Sequence, residues 1–185
     1  RERKLNTGGV YVALDSRLFM QHRVRSKFTE FRQIAQTIRF DTEEVLATDI
    51  ASVGIAFNIL ASDSEGSDLT VFTAQRNDLA DIIIPLQKAG LDPVSIEPDV
   101  LCLARVVCRS SFYREGDFYC IFSRDRAYFM MPGIYTGGDA MGNVWVRTFV
   151  VSGARDRMEI LKQQLPATFA GLNLDEGAIK RLCVY

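Results

Sequence analysis

Apolar positions along this 185-residue chain recur in two rhythms, and the switches between them mark out its elements. Gly8-Gly9 opens a β-branched and aromatic run, Val10 to Leu14, that reads as a strand. Asp15-Ser16-Arg17 is a turn, and a second strand is predicted over about Leu18 to Arg25. The rhythm then lengthens. Phe28, Phe31, Ile34, Ala35 and Ile38 recur at three and four, the stripe of a helix laid on a sheet. Asp41 and Thr42 are predicted to cap a second short helical turn through Glu43, Glu44, Val45 and Leu46, because their side-chain oxygens can accept from free first-turn amides.

Val53 to Leu60 reads as a strand, residues 61–68 as a polar loop, and Leu69 to Ala74 as the returning strand of an antiparallel hairpin. Asn77 or Asp78 is placed to cap a helix ending at Ala89, with Ile82, Ile83 and Leu86 as its apolar face. Gly90 suits the left-handed residue that ends such a helix, whereas Pro85 removes a donor inside it. A strand over Pro93 to Glu97 and a helix from Pro98-Asp99 through Val107 follow.

The polar stretch from Arg109 to Gly116 is the predicted boundary between two subdomains, 1–108 and 109–185. Beyond it, Phe118 to Phe122 and Ala127 to Met131 form a hairpin about Ser123–Arg126. Val144 to Val151 is a strand, a helix runs from about Arg155 to Leu165 with Pro166 as its stop, and a short helix over Asp175 to Lys180 precedes a last strand from Arg181. The stretch from Gln36 to Arg105 reads as strand and helix alternating around one sheet, and the whole as an α+β chain with α/β-like alternation.

Composition narrows the function classes. The net charge of -1, with no basic stripe, argues against nucleic acid as a partner. The basic residues Arg17, His22, Arg23, Arg25 and Lys27 read as a solvated face of strands. No apolar run has the roughly 18 to 20 residues needed to span a bilayer, and the charged opening residues do not read as a signal peptide. A start at Arg rather than Met and an end on a strand are expected of a fragment of a longer chain, which leaves room for an anchor outside it. Cys102, Cys108, Cys120 and Cys183 all sit among apolar neighbours and lack zinc-site spacing, so they read as buried reduced thiols of a reducing compartment such as the cytoplasm.

Candidate chemistry is sparse. The glycine-rich stretch Gly133 to Gly142 has no following Gly-Lys-Ser/Thr and leads into a strand, so it reads as a connection rather than a phosphate cradle. His22, the only histidine, stands beside Arg23 and Arg25, whose charge disfavours its protonation, and lacks a partner set for nucleophilic catalysis. Asp41, Glu43 and Glu44 cluster as a metal or acid-base site would, but acidic residues at the positive end of a helix explain them more simply. Asp49 and Asp63 have no second set of ligands at a useful spacing. No catalytic, cofactor-binding or metal residue is nominated.

Two quoted stretches carry a resemblance. Ile38-Arg-Phe-Asp-Thr-Glu-Glu-Val-Leu-Ala-Thr-Asp-Ile50 leads to a strand ending Phe57-Asn-Ile-Leu60, and Leu86-Gln-Lys-Ala-Gly-Leu-Asp-Pro-Val-Ser-Ile-Glu-Pro-Asp99 follows. Over about Val10 to Val107 the pattern resembles the inserted subdomain of the actin-like type IV pilus assembly protein (PilM) family and the cytoplasmic part of its type II secretion counterpart (GspL). The resemblance implies a ferredoxin-like (SHS2-type) subdomain plus part of a degenerate actin-like (ribonuclease H-like) subdomain with mixed sheets.

It further implies a strand carrying an Asp-x-Gly phosphate loop. The matching strand here ends Ser123-Arg-Asp-Arg126, and Asp125-Arg126-Ala127 lacks the glycine. Two readings of function stand open. One is a non-enzymatic scaffold without cofactor at the inner face of the inner membrane, binding a membrane-platform protein or its cytoplasmic peptide, or an assembly ATPase. The other is an actin-like ATP-binding protein whose phosphate loops lie partly outside these residues. A small-ligand-binding α/β domain has least to support it. The residues do not say which surface binds.

Overall fold

A computed structural model describes residues 9–134, 143–151, 156–172 and 177–185. The chain divides into two compact units, Arg1–Cys102 and Leu103–Tyr185.

In the first unit, β1 (Val10–Leu14) is followed by a 3-10 turn at Ser16–Leu18 and by β2 (Phe19–Ser26). The Ser26 hydroxyl accepts from the Phe28 amide at 3.3 Å, a local turn that delays helix α1 until Phe31. Helix α1 spans Phe31–Glu43, and its buried stripe is Ile34, Ile38 and Thr42. The predicted break at Asp41 and Thr42 does not occur. The Thr42 hydroxyl donates back to the Ile38 carbonyl at 2.5 Å, so Thr42 is a buried residue of the helix interior rather than a cap. The turn predicted over Glu43 to Leu46 forms as the frayed end of α1 rather than as a second helix: the Val45 amide donates to the Thr42 carbonyl at 3.0 Å and the Leu46 amide to the Glu43 carbonyl at 3.3 Å. The next element is a 3-10 turn at Ile50–Ser52, started by Asp49, whose Oδ1 accepts from the Ala51 amide at 2.9 Å.

Strands β3 (Val53–Asp63) and β4 (Gly66–Gln75) form a longer hairpin than the predicted strands and loop. The polar residues taken for a loop are paired instead. Ser62 and Ser67 hydroxyls meet at 2.7 Å, and Arg25 of β2 reaches Asp63 at 2.5 Å and Asp68 at 3.5 Å. The Asp63 carboxylate also accepts from the Glu65 amide at 2.8 Å, which closes the tight turn. The sheet order is β2-β4-β3, all antiparallel. Val24, Leu69 and Val71 of one sheet face pack with Ile34 and Ile38, with Ile55 and Phe57 against them. Full burial of each aliphatic side chain contributes roughly 1.5–3 kcal/mol. The order β2-α1-β3-β4 is strand-helix-strand-strand, the SHS2-type arrangement.

Helix α2 (Arg76–Lys88) starts one residue before the earlier of its two predicted caps. Gln75 is the capping residue and makes no side-chain bond, while Asp78 sits in the first turn, where its charge suits the helix dipole. Pro85 lies inside, and the C-terminus ends as predicted. Gly90 has φ 74°, the Leu91 amide donates to the Leu86 carbonyl at 2.9 Å, and the Gly90 amide donates to Gln87 at 2.9 Å. Strand β5 (Pro93–Pro98) returns to pair in parallel with β1, so this pair brackets everything from β2 to α2. Helix α3 (Asp99–Cys108) follows. Buried Ser16 donates its backbone amide (3.1 Å) and its hydroxyl to the Asp99 carboxylate, and its hydroxyl accepts from the Val100 amide at 3.1 Å. That exchange ties the end of β1 to the start of α3.

The second unit holds a mixed four-stranded sheet, order β8-β7-β6-β9, from β6 (Asp117–Phe122), β7 (Arg126–Pro132), β8 (Val144–Val150) and β9 (Arg181–Val184). Only the β6–β9 pairing is parallel. One face buries Phe118, Cys120, Phe129 and Met131 against helix α4 (Arg157–Leu172) through Leu161 and Phe169. The Phe118 ring meets Phe169 edge-on at 5.0 Å, and Phe129 meets Phe149 at 4.8 Å.

Pro166 does not stop α4, contrary to the prediction. Arg147 of β8 donates to Gln164 Oε1 at 2.9 Å and to the Thr168 hydroxyl, which itself donates to the Gln164 carbonyl at 2.6 Å. These bonds hold the turn on either side of the proline, and Phe169 and Leu172 extend its apolar stripe beyond it. Of the short helix predicted over Asp175 to Lys180, residues 175 and 176 lie outside the described residues; residues 177–180 are not helical, and Gly177 has φ 82°. The described strands form three sheets, and the strands between Gln36 and Arg105 divide between two of them, β3 and β4 in one and β5 in another, rather than sharing the single sheet predicted for that stretch.

Candidate functional site

Of the side chains that the sequence singled out for chemistry, His22, Asp41, Asp49 and Asp63 have a local structural use. His22 lies on β2 with its Nε2 3.1 Å from the Thr73 hydroxyl on β4. Burial lowers its pKa. The sequence assigned that effect to Arg23 and Arg25, but strand alternation turns those two to the opposite face, where Arg23 and Arg25 meet Asp68 and Asp63. The direction is as predicted and the main cause is desolvation.

Asp41, Glu43 and Glu44 close helix α1 instead of opening one. They stand at its negative end, so the dipole explanation predicted for them fails. Asp41 accepts from the Thr37 hydroxyl at 3.3 Å, one turn earlier. Asp49 caps its 3-10 turn. Asp63 has a lowered pKa, first from the Glu65 amide and then from Arg25. Among the described residues, no group of His, Cys, Asp and Glu is arranged to hold a metal ion.

Gly133 has φ 71°, and its amide donates to the Asn143 carbonyl at 2.7 Å, which closes the ends of the glycine-rich connection. Gly137, Gly138 and Gly142 lie outside the described residues. At the β6–β7 turn, Ser123 donates its amide to the Arg126 carbonyl at 2.8 Å, and the Asp125 carboxylate accepts from Arg126 Nε at 3.3 Å. Ala127, wholly buried, stands where a phosphate loop of the Asp-x-Gly kind has glycine. The four cysteines are free, and burial pushes the Cys120 thiol up to about 12, which keeps it protonated and unreactive.

The strongest electrostatic cluster was not foreseen. Asp117, wholly buried at the start of β6, accepts from Arg181 Nε at 2.7 Å and from the same guanidinium's second nitrogen at 2.6 Å. It also accepts from the Tyr119 hydroxyl at 2.7 Å and the Arg114 amide at 2.9 Å. Arg181 foremost, with these further donors, holds the carboxyl down at about 2. Arg181 also donates to the Phe112 carbonyl at 2.6 Å. The cluster staples β9 to β6 and to the preceding turn. In sequence Asp117 follows Glu115-Gly116 and looks like loop, and its partner is 64 residues away, so no local signal marks it.

What is left for recognition is surface. The outermost strands are β2 and β3 in one sheet, β8 and β9 in another, and both members of the β1–β5 pair, among the described residues. Phe31 and Phe40 on α1, and Leu182 and Val184 on β9, are large apolar side chains left exposed. No helix among the described residues is long and apolar enough to cross a membrane.

Comparison with known proteins agrees with this architecture. No curated protein matches the chain. The cytoplasmic domain of EpsL, an inner membrane component of the type II secretion system of Vibrio cholerae, superposes with a TM-score of 0.59 at 16% identity, over 95% of this chain and 60% of that one. The PilM-PilN type IV pilus biogenesis complex gives a TM-score of 0.58 at 17% identity, over 89% of this chain and 47% of that one. The chain therefore spans about half to three fifths of the length of these structures. Their fold is the actin-like architecture of mixed sheets and helices that the resemblance implied. Residues 7–132, more than half of the sequence, match the family described as Type II secretion system (T2SS), protein L, and the chain belongs to that family.

Proposed function

We propose that this chain is a non-catalytic scaffold module of a type II secretion or type IV pilus inner-membrane platform. It works at the cytoplasmic face of the inner membrane, without a cofactor, and binds a platform protein's cytoplasmic peptide or the assembly ATPase. Residues 1–108 act as the inserted subdomain with its flanking strands, and 109–185 as part of a degenerate actin-like subdomain. The observation that carries the reading is the family match over residues 7–132. Two further points support it. The fold neighbour from the pilus system is a complex of PilM with PilN. The side chains of His22, Asp49, Asp63 and Asp117 are engaged in a strand contact, a cap, a strand pair and the β9 staple.

The test is a pull-down of purified platform components on the immobilised chain. Retention of the membrane partner's cytoplasmic peptide or of the assembly ATPase is expected. Retention of neither contradicts the proposal. The alternative, an actin-like ATP-binding protein, draws on the fold alone. It predicts a rise in melting temperature with ATP and magnesium, which the scaffold reading does not.

A further inference from the structure

The two strands joined by the Asp117–Arg181 staple, β6 and β9, begin at one surface of the second unit, and that surface is basic. Arg109, Phe112, Arg114, Glu115, Lys180 and Arg181 are all exposed there. Backbone bonds tie their segments together: the Arg114 carbonyl accepts from the Asp117 amide at 3.1 Å, and the Lys180 amide donates to the Gly116 carbonyl at 2.8 Å. Over residues 109–117 and 177–181, four cations stand against two carboxylates, Glu115 and Asp117. The local net charge is therefore +2, on a chain whose total is -1. Asp117 is engaged with Arg181, and no ion pair joins Arg109, Arg114 or Lys180 to a carboxylate among the described residues.

We infer that this surface is a docking site for an acidic peptide segment, whose Asp or Glu side chains pair with Arg114 and Lys180 while an apolar neighbour packs on Phe112. The Arg114 guanidinium is set for a carboxylate. Its Nη1 donates to the Ser111 carbonyl at 2.8 Å and to the Tyr113 carbonyl at 2.7 Å, which fixes the plane of the group. Its Nε and Nη2 have no partner among the described residues, and those two donors match both oxygens of one carboxylate. Arg181 shows the same fork in use, closed on Asp117 through Nε and Nη2. The stem of Lys180 lies within 2.8 Å of where a Cβ on Gly116 would stand, so that side chain is held over the start of β6. Phe112, whose carbonyl accepts from Arg181, leaves 52% of its side chain exposed beside these cations.

Charge and backbone polarity favour a peptide carboxylate over a phosphate. Phosphate sites are built from converging backbone amides. Here the groups that turn to the cations are the carbonyls of Ser111, Phe112 and Tyr113, each taken up by a guanidinium. A lipid surface or a nucleic acid strand presents anions in a continuous array, which would also meet the exposed carboxylate of Glu115 among the cations. A peptide can set single carboxylates on Arg114 and Lys180 and leave Glu115 in water. The inference rests on the proposed scaffold role for what the partner is, and not for which chemistry the surface reads.

Fluorescence anisotropy of the full 185-residue chain with a labelled polyglutamate peptide carrying one phenylalanine tests it. Saturable binding that weakens as salt is raised is expected, and none for the polyglutamine counterpart. Arg114→Gln combined with Lys180→Gln should raise the dissociation constant at least about five-fold. Arg124→Gln, exposed beyond the opposite end of β6, should leave it unchanged. Because Arg114 also braces its turn, Arg109→Gln with Lys180→Gln gives a second reading. Neither of those side chains makes a hydrogen bond or ion pair among the described residues, so two charges go while the bonds of the fold stay, and binding should weaken by a similar factor. A chain that ignores polyglutamate, binds polyglutamine equally, holds polyglutamate unchanged in both double variants, or prefers phosphatidylglycerol vesicles or a single-stranded oligonucleotide overturns the inference. In the platform pull-down, a component retained equally by parent and double variants refutes this surface and leaves the scaffold role standing. Peptide binding with no component retained does the reverse.

Discussion

Replacing Asp117 with Asn probes a wholly buried charge that joins distant parts of the sequence. The carboxyl is held at about 2 in the folded chain, against an ordinary value of 3.8. That difference corresponds to about 2 kcal/mol of stability from ionisation. A folded pKa below the unfolded one means the contribution is complete above the unfolded value and is lost as pH falls from about 4 to about 2. Asp117→Asn removes the charge while keeping a carbonyl acceptor. The guanidinium of Arg181 is half exposed and can rehydrate, so the cost at neutral pH should be about 2–3 kcal/mol, below that of stranding a wholly buried partner. Trp145, the only tryptophan, packs in the α4-side core of the same sheet and reports unfolding of that unit. Urea titrations followed by its fluorescence at a series of pH values should show parent and variant far apart at pH 6 and converging near pH 2. A gap of the same size at pH 6 and pH 2.5, or no gap at pH 6, refutes the reasoning.

Other substitutions test the remaining elements. Gly66→Ala forces a side chain into φ 140° with its Cβ against the Ser26 carbonyl, and should cost more than about 1 kcal/mol, read as a lower urea midpoint by circular dichroism. Ile34→Ala opens a cavity under α1 and should cost about 2–5 kcal/mol by the same measurement. Gly90→Ala has room for the methyl but must hold φ 74°, so a loss of only about 1 kcal/mol is expected, with faster amide exchange at Leu91. Pro166→Ala restores the missing helix donor and should raise the urea midpoint of the Trp145 transition; a fall would show that the proline is needed for packing.

The legible parts of this fold were those set by local rules. The stripe of Ile34 and Ile38, the Gly90 stop and the β3–β4 hairpin each depend on residues within a few positions of one another, and each formed. The misreadings share another cause. Asp41 and Thr42 look like caps, Ala61 to Asp68 like a loop and Pro166 like a stop, because locally each is. Tertiary partners override them: the sheet beneath α1 buries Thr42, Arg25 turns Asp63 and Asp68 into strand residues, and Arg147 braces α4 across Pro166. Sheet membership was equally hidden, since β1 pairs with β5 only after more than seventy intervening residues. As for candidate sites, the sequence identified side chains that prove structural, and it did not reveal the Asp117–Arg181 staple or the basic surface beside it. The staple needs the fold to bring its ends together, and the surface gathers Arg114 and Lys180 across the same span of chain.

The central claim is that this family member holds partners rather than turning over nucleotide. Native mass spectrometry of the tagged chain, purified gently from its own host, reads both possibilities in one sample. The account predicts a complex with an inner-membrane platform protein or assembly ATPase, and no stoichiometric nucleotide on the chain itself. A chain that arrives alone, carrying one adenine nucleotide with magnesium, would contradict it.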